Sequence, residues 1–215
     1  MKCISFLLVI AGLLLQISVK SQNTWTLKKD KNGVKVFSKK SPNFKTDEIK
    51  TESEFDGRIS QLAAVILDVN NQNKWVYKTV KSQMLKQISP TELFYYTEIG
   101  CPWPFDNRDV VVHMMVNQNP ESKELTITAD NVEGYLPEKK NLVRVKYSRA
   151  TWKIKPINKN KFKVEYRLQV DPGIGVPSWL LNLFMTNGPY DTFMNLKEKI
   201  SLPPYANMKF LFITD

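Results

Sequence analysis

The sequence predicts an α+β domain in which a curved antiparallel β-sheet wraps around one long C-terminal α-helix and leaves an internal hydrophobic cavity. Three observations lead there. Period-two alternation dominates from Val34 to Val170, helical spacing is confined to one short stretch near Arg58–Val69, and a single long apolar segment, Val176–Ile200, closes the domain. Strands in series followed by a helix give layers of sheet and helix rather than an alternating β/α fold.

Val34-Lys35-Val36 and Ile49 to Phe55 read as two strands joined through a loop at Ser41-Pro42-Asn43. After Asp56-Gly57 the spacing becomes helical over Arg58 to Val69, with Ile59, Leu62, Ala63, Ile66 and Leu67 on one side. Strands then return at Leu93–Ile99, Asp109–Asn117, Glu124–Val132, Leu142–Lys155 and Lys161–Val170, separated by turn-rich pieces such as Asn117–Ser122 and Asn158-Lys159-Asn160. Phe162, Val164, Tyr166, Leu168 and Val170 alternate with Lys163, Glu165, Arg167 and Gln169, so that strand buries one face and wets the other. Val110 to Val116 is apolar on both phases and is expected to be covered on both sides. A phase change between Ser148 and Thr151 predicts a bulge or sharp bend.

Pro177 stands at a natural start for the last helix, and Gly188-Pro189 interrupts it. A proline there removes a backbone donor and opposes the carbonyl four residues back, which predicts a kink or a break. The first half of this helix is apolar nearly all round, as a helix covering an internal space needs to be.

The 215 residues allow one full-sized domain, and 24% charged with 11% aromatic residues fits neither a disordered chain nor a disulfide scaffold. Lys2, the apolar run Ile4–Leu15 and the small residue Ser21 read as an export signal over residues 1–21. The run is about twelve residues, short of the roughly twenty that a membrane span needs. Residues 22–200 then form the domain and 201–215 a C-terminal tail, which reads either as a partner-binding strand or, by preference, as a segment packed back on the domain. Cleavage lowers the net charge from +10 to +8, because Lys2 and Lys20 leave and no acid does. Cys3 leaves too, so Cys101 has no internal disulfide partner and is expected to be a buried thiol. The remaining lysines alternate with acids and apolar residues; they predict a solubilising face and transient contact with an anionic membrane surface, and no nucleic-acid partner. The expected location is the periplasm or the extracellular space, and a monomer is expected.

Specific residues carry a family resemblance. Cys101-Pro102-Trp103-Pro104 with Asn107-Arg108-Asp109, then Val143-Arg144 and Trp152-Lys153-Ile154-Lys155-Pro156, then Asp171-Pro172-Gly173 with Val176-Pro177-Ser178-Trp179-Leu180-Leu181-Asn182 occur in an order that resembles the START (steroidogenic-acute-regulatory-related lipid-transfer) domain family of the helix-grip superfamily. The resemblance runs from Trp25 through Lys199. It implies a lipid-binding cavity roofed by the C-terminal helix, with ligand passing that helix and its neighbouring loops. Members of the family bind sterols, phospholipids, ceramides or other hydrophobic molecules, and most are carriers or sensors rather than enzymes.

On this reading the ligand-binding candidates are Trp103, Met114, Tyr147, Tyr166, Leu180, Leu183, Phe184 and Phe193. The leucines and phenylalanines are the helix face expected to turn toward the cavity. Tyr147 and Tyr166 would bring both apolar area and a hydroxyl. Trp103, rigid between two prolines, fits either a wall at the cavity mouth or a packed corner. Met114 stands where sterol-carrying relatives have a cavity arginine, so this cavity is expected to lack that charge. Arg108 and Asp109 read either as a head-group contact or, the preferred reading, as a local ion pair that fixes a loop. His113, the only histidine, lies in phase with Val111 and Met115 and reads as a half-buried strand residue. No Gly-x-Ser-x-Gly turn, glycine-rich phosphate loop or metal-ligand cluster is present in the sequence, so no enzyme activity, cofactor or metal is expected. The competing reading is a polyketide-cyclase-like enzyme that uses a cavity tyrosine or carboxylate, such as Tyr166 or Glu98, on a hydrophobic substrate.

Overall fold

The computed structural model describes residues 24–215. The expected export signal over residues 1–21 lies outside the described residues. Ten strands and two α-helices follow in the order β1 (Thr26–Lys31), β2 (Val34–Lys39), β3 (Glu48–Asp56), α1 (Ile59–Leu67), β4 (Thr79–Ser89), β5 (Glu92–Ile99), β6 (Asn107–Gln118), β7 (Leu125–Asn131), β8 (Leu142–Arg144), β9 (Tyr147–Asn158), β10 (Lys161–Asp171) and α2 (Ser178–Lys199). The sheet runs β1-β2-β3-β10-β9-β7-β6-β5-β4, antiparallel throughout, with β8 added in parallel to the start of β6.

The two strands with no sequence signal, β1 and β4, are the two edges of this sheet. An edge strand has no neighbour on one side and is blunted by charge and irregularity. β1 reads Thr-Leu-Lys-Lys-Asp-Lys with almost every residue exposed, and the register of β4 against β5 shifts three times. Alternation is imposed by a buried face, so strands without one do not display it.

The expected bulge between Ser148 and Thr151 is replaced by an interruption of the strand at Val145-Lys146, between β8 and β9. β9 pairs with β10 from Tyr147 to Pro156 with no irregularity at Ser148–Thr151. The preceding residues Leu142–Arg144 instead leave to pair with Asn107–Asp109 of β6. The phase change marks two strands with different partners. Coverage of β6 on both faces holds for Val110–Val112, each at most 5% exposed, and ends by Met115, which is 45% exposed.

The start of α1 is built by side chains. Gln61 accepts a hydrogen bond from the Arg58 amide at 2.8 Å, and the Asp215 carboxylate takes the Ser60 amide at 2.8 Å and the Ser60 hydroxyl at 2.7 Å. An anion at the first turn satisfies orphan amides and complements the helix dipole. Gly57 has φ +128°, and a Cβ there would lie 2.7 Å from Gln61 Oε1, so this turn requires glycine. The tail packs back on the domain through this contact, through the Tyr205 hydroxyl donating to Asp68 at 2.7 Å, and through a reciprocal pair of bonds between Gln118 and Thr214.

α2 has two unlike halves. Phe193 and Leu196 in the second half are fully buried. Phe193 lies 5.7 Å from Trp152, stacked, and 5.8 Å from Phe55, so the helix is clamped to the sheet here. In the first half Trp179 is 60% exposed and Leu183 39% exposed. The helix continues without a break through Gly188-Pro189, where a break was one of the two expected outcomes. Gly188 lets the Tyr77 ring approach so closely that a Cβ would sit 3.3 Å from it.

Candidate functional site

Between the concave face of the sheet and the first half of α2 lies a cavity of about 290 Å³. Its floor follows from the register. Met114, Ala129, Ala150 and Leu168 are paired in a row across β6, β7, β9 and β10. The adjoining row places Ile127 beside Trp152 and Trp152 beside Tyr166, with the last two rings 4.2 Å apart. Two alanines in register next to a row of large rings make a dip that no neighbouring side chain fills. The roof is the α2 face formed by Leu181, Phe184, Met185, Gly188, Pro189 and Thr192. The lining is largely aliphatic and aromatic, with a few polar groups among it.

Those polar groups are spread over wall and roof, with Tyr95 on β5, Tyr166 on β10, Trp75 and Cys101 in loops and Thr192 on α2. Burial, and next the proximity of Tyr95, pushes the Tyr166 phenol well above its ordinary range, so its hydroxyl stays protonated. Tyr95 is also pushed up by burial. The Trp75 indole N–H is buried without a hydrogen-bond partner. Cys101 is half-buried in the wall rather than sequestered in the core, because its loop leaves the sheet where the cavity opens.

Of the eight residues proposed from the sequence, Met114, Tyr166 and Phe184 stand in the cavity wall. The other five lie elsewhere. Trp103 is 93% exposed, neither a cavity wall nor a packed corner, because its loop projects beyond the end of the sheet. Tyr147 stacks on Phe44 at 4.3 Å. Phe193 is spent in the aromatic clamp, Leu180 is fully buried away from the lining, and Leu183 faces outward. The roof face is turned by about one residue from the expected one, a rotation near 100°. A helix half that is apolar all round gives no phase to read. Ala129, Ala150, Gln72 and Tyr77 line the cavity and were missed. The signal for the alanines was small residues on the inward phase of strands that are otherwise bulky.

The local Arg108–Asp109 ion pair does not form. Successive residues of a strand point to opposite faces, so Arg108 turns to the concave side and Asp109 to the convex side. Asp109 instead accepts a two-bond contact from Arg144 of β8, at 2.8 and 3.1 Å. Arg144 is held charged above its usual range, first by that bond. Arg144 also donates to the carbonyls of Leu136 and Pro137, which fastens the loop before β8 over the convex face. The carboxylate and imidazole candidates for acid–base chemistry are directed elsewhere too, which leaves Tyr166 as the one such candidate in the wall. Glu98 accepts from Asn107 at 2.7 Å on the phase opposite the cavity-lining Thr97 and Ile99, and His113 lies 2.8 Å from Glu92 and is stacked on Phe94.

Comparison with known proteins gives concordant results. An uncharacterized protein of Pseudomonas aeruginosa is 29% identical over 175 residues, covering 81% of this chain and 85% of its own. The phosphatidylcholine transfer protein of Rattus norvegicus is 26% identical over 132 residues, or 60% of this chain, and the match spans 61% of that protein. The crystal structure of a STAR-related lipid transfer protein from Xanthomonas axonopodis superposes with a TM-score of 0.76 at 28% identity, over 83% of this chain and 99% of that one. Human STARD10, at 22% identity and a TM-score of 0.73, shares the fold. Residues 10–198 match the START domain family. The curved sheet gripping α2 is therefore a helix-grip fold, and the chain belongs to the START domain family.

Proposed function

We propose that the protein binds the hydrocarbon part of a lipid in the cavity and carries that lipid between membranes outside the cytoplasm. The observation that carries this reading is the apolar hollow of about 290 Å³ under the first half of α2. Small-molecule sites run from about 300 to 1,000 Å³, so the space suits one hydrocarbon chain or a compact polycycle. A bulkier lipid needs the first half of α2 to lift while the clamp at Phe193 holds. Each buried methylene contributes about 0.8 kcal/mol, so a chain of about ten recovers more than the lower estimates of the association cost.

The same end of the molecule carries three exposed apolar side chains, Trp103 at 93%, Ile174 at 88% and Trp179 at 60%. Phe105 meets Trp179 edge-on at 6.5 Å. Exposed tryptophans beside a cavity mouth, on a chain whose net charge of +10 becomes +8 on loss of the export signal, support docking of this end onto an anionic bilayer. The N-terminal sequence with the features of an export signal supports a periplasmic or extracellular site of action. Transfer-protein relatives support a carrier over a cyclase-like enzyme. The protein acts as a monomer on this reading.

Native mass spectrometry of protein purified from its own host, followed by organic extraction, tests the proposal directly. A stoichiometric lipid, then transfer between vesicles, supports it. Protein that is empty and takes up no fluorescent lipid refutes it.

A further inference from the structure

Arg108 is the one charged residue in the cavity lining among the described residues. It is 5% exposed and forms no salt bridge among the described residues. The alternation of β6 sends its sequence neighbour Asp109 to the other face, where Arg144 takes it. The carboxylates that flank the site in sequence, Asp106 and Asp171, are both exposed, and Asp171 caps the Gly173 amide at 3.0 Å.

The guanidinium meets neutral atoms alone. Nε donates to the Pro172 carbonyl at 3.4 Å and Nη2 to the Ile174 carbonyl at 3.1 Å. Nη1 donates to the Asp106 carbonyl and to Cys101 Sγ, the latter at 3.6 Å. The contact to the Pro172 carbonyl is long. A guanidinium has five N–H donors, so one remains. Cys101 and Pro172 line the cavity too, which places the charged group at the end of the hollow where the two loops meet α2. Burying a charge without a counter-ion is costly, and removing the deficit with a carboxylate or phosphate forms charge-assisted bonds of the strong kind.

We propose that Arg108 is an anion-recognition site of this cavity, and that the ligand is an amphiphile with a carboxylate or phosphate held there while its hydrocarbon chain runs inward over Ala129 and Ala150. The inference rests on the lipid-binding reading above and adds the chemistry of the head. It also accounts for a single cation at the mouth of a largely apolar wall: the tail is sorted by volume and the head by charge. In the absence of ligand the same guanidinium holds the Cys101–Asp106 and Pro172–Ile174 loops together. An incoming anion competes for those donors and so couples binding to loosening of the mouth.

The test is a native mass spectrometry titration of the full domain with three probes sharing one chain: oleate, 1-oleoyl lysophosphatidate and methyl oleate. The wild type is expected to prefer at least one anionic probe over methyl oleate by roughly 10- to 100-fold. Preference for lysophosphatidate alone identifies a phosphate head, and for oleate alone a carboxylate. In Arg108→Gln the anionic-to-neutral ratio is expected to fall toward one, and in Arg108→Lys to be partly retained. Equal loss for all three probes in Arg108→Gln, with the ratio intact, would mean that Arg108 only ties loops, and it would overturn the inference. Because the ratio is measured first on the unaltered protein, a variant that fails to fold does not remove the test: wild-type protein with no anionic preference refutes the inference while leaving lipid binding standing. Binding of none of the three by wild type refutes both.

Discussion

Ala150→Leu adds roughly three carbons to the floor of the cavity, at the position paired with Ala129 on one side and Leu168 on the other. Ala150 is 9% exposed and borders a hollow of about 290 Å³, so the new side chain has unfilled space to occupy. At about 0.8 kcal/mol per buried methylene, filling it stabilises the ligand-free protein by roughly 2 kcal/mol. For a chain of this size that raises Tm by about 4–8 °C. The same carbons displace a similar length of ligand, which weakens binding of a long-chain lipid by about 30-fold. Stability and affinity therefore move in opposite directions, which a core position does not do. Thermal melting without ligand and a lipid titration read the two effects. If the variant melts lower and binds as tightly as wild type, the site is already packed and the ligand lies elsewhere; overpacking of that kind costs about 1–3 kcal/mol.

Three other outcomes follow from the geometry. Phe193→Ala removes the fully buried ring that joins Phe55 and Trp152; it is expected to cost about 3–5 kcal/mol and lower Tm by roughly 10 °C or more in a melting experiment. Asp109→Asn leaves Arg144 unpaired on the convex face and is expected to cost about 3–5 kcal/mol in urea unfolding, with Asp109→Asn combined with Arg144→Met recovering part of the loss. The Tyr205 phenol is pushed up to about 12, first by burial and then by its bond to Asp68. The folded state holds that proton more tightly than the unfolded state, so its contribution is complete below the ordinary tyrosine range near pH 10 and is lost as pH rises toward 12. Urea midpoints between pH 9 and 12 are expected to fall less steeply for Tyr205→Phe than for wild type; parallel curves would contradict that assignment.

The residues readable from the sequence were those whose environment is imposed locally. Phe162, Val164, Tyr166, Leu168 and Val170 alternate because one face of β10 is covered, and the structure places all five on the inner face, the last three in the cavity wall. Ile59, Leu62 and Ile66 keep helical spacing and are buried, although the structure buries α1 nearly all round, Ser60 and Val65 included. β1 and β4 escaped because edge strands have no second neighbour to enforce a pattern. The cavity residues divide in the same way. Tyr166 lies on the inward phase of a clearly alternating strand and Met114 was reached through the family resemblance, whereas Leu180, Leu183 and Phe193 were assigned from a helix whose hydrophobicity has no preferred direction in its first half and whose second half belongs to the aromatic clamp.

By itself the sequence determined the class of fold, the central strands, both helices and the family, since these depend on periodicities and ordered motifs that each segment carries alone. Tertiary structure decided where the hollow lies and what faces it. The hollow exists because Ala129 and Ala150, 21 positions apart in the chain, are brought side by side by the register of β7 and β9. Arg108 is separated from Asp109 because the pleat sends adjacent side chains to opposite faces, and Asp109 finds Arg144 because β8 returns beside β6. A cavity and an unpaired charge are properties of packing between strands distant in sequence, and no single segment contains them.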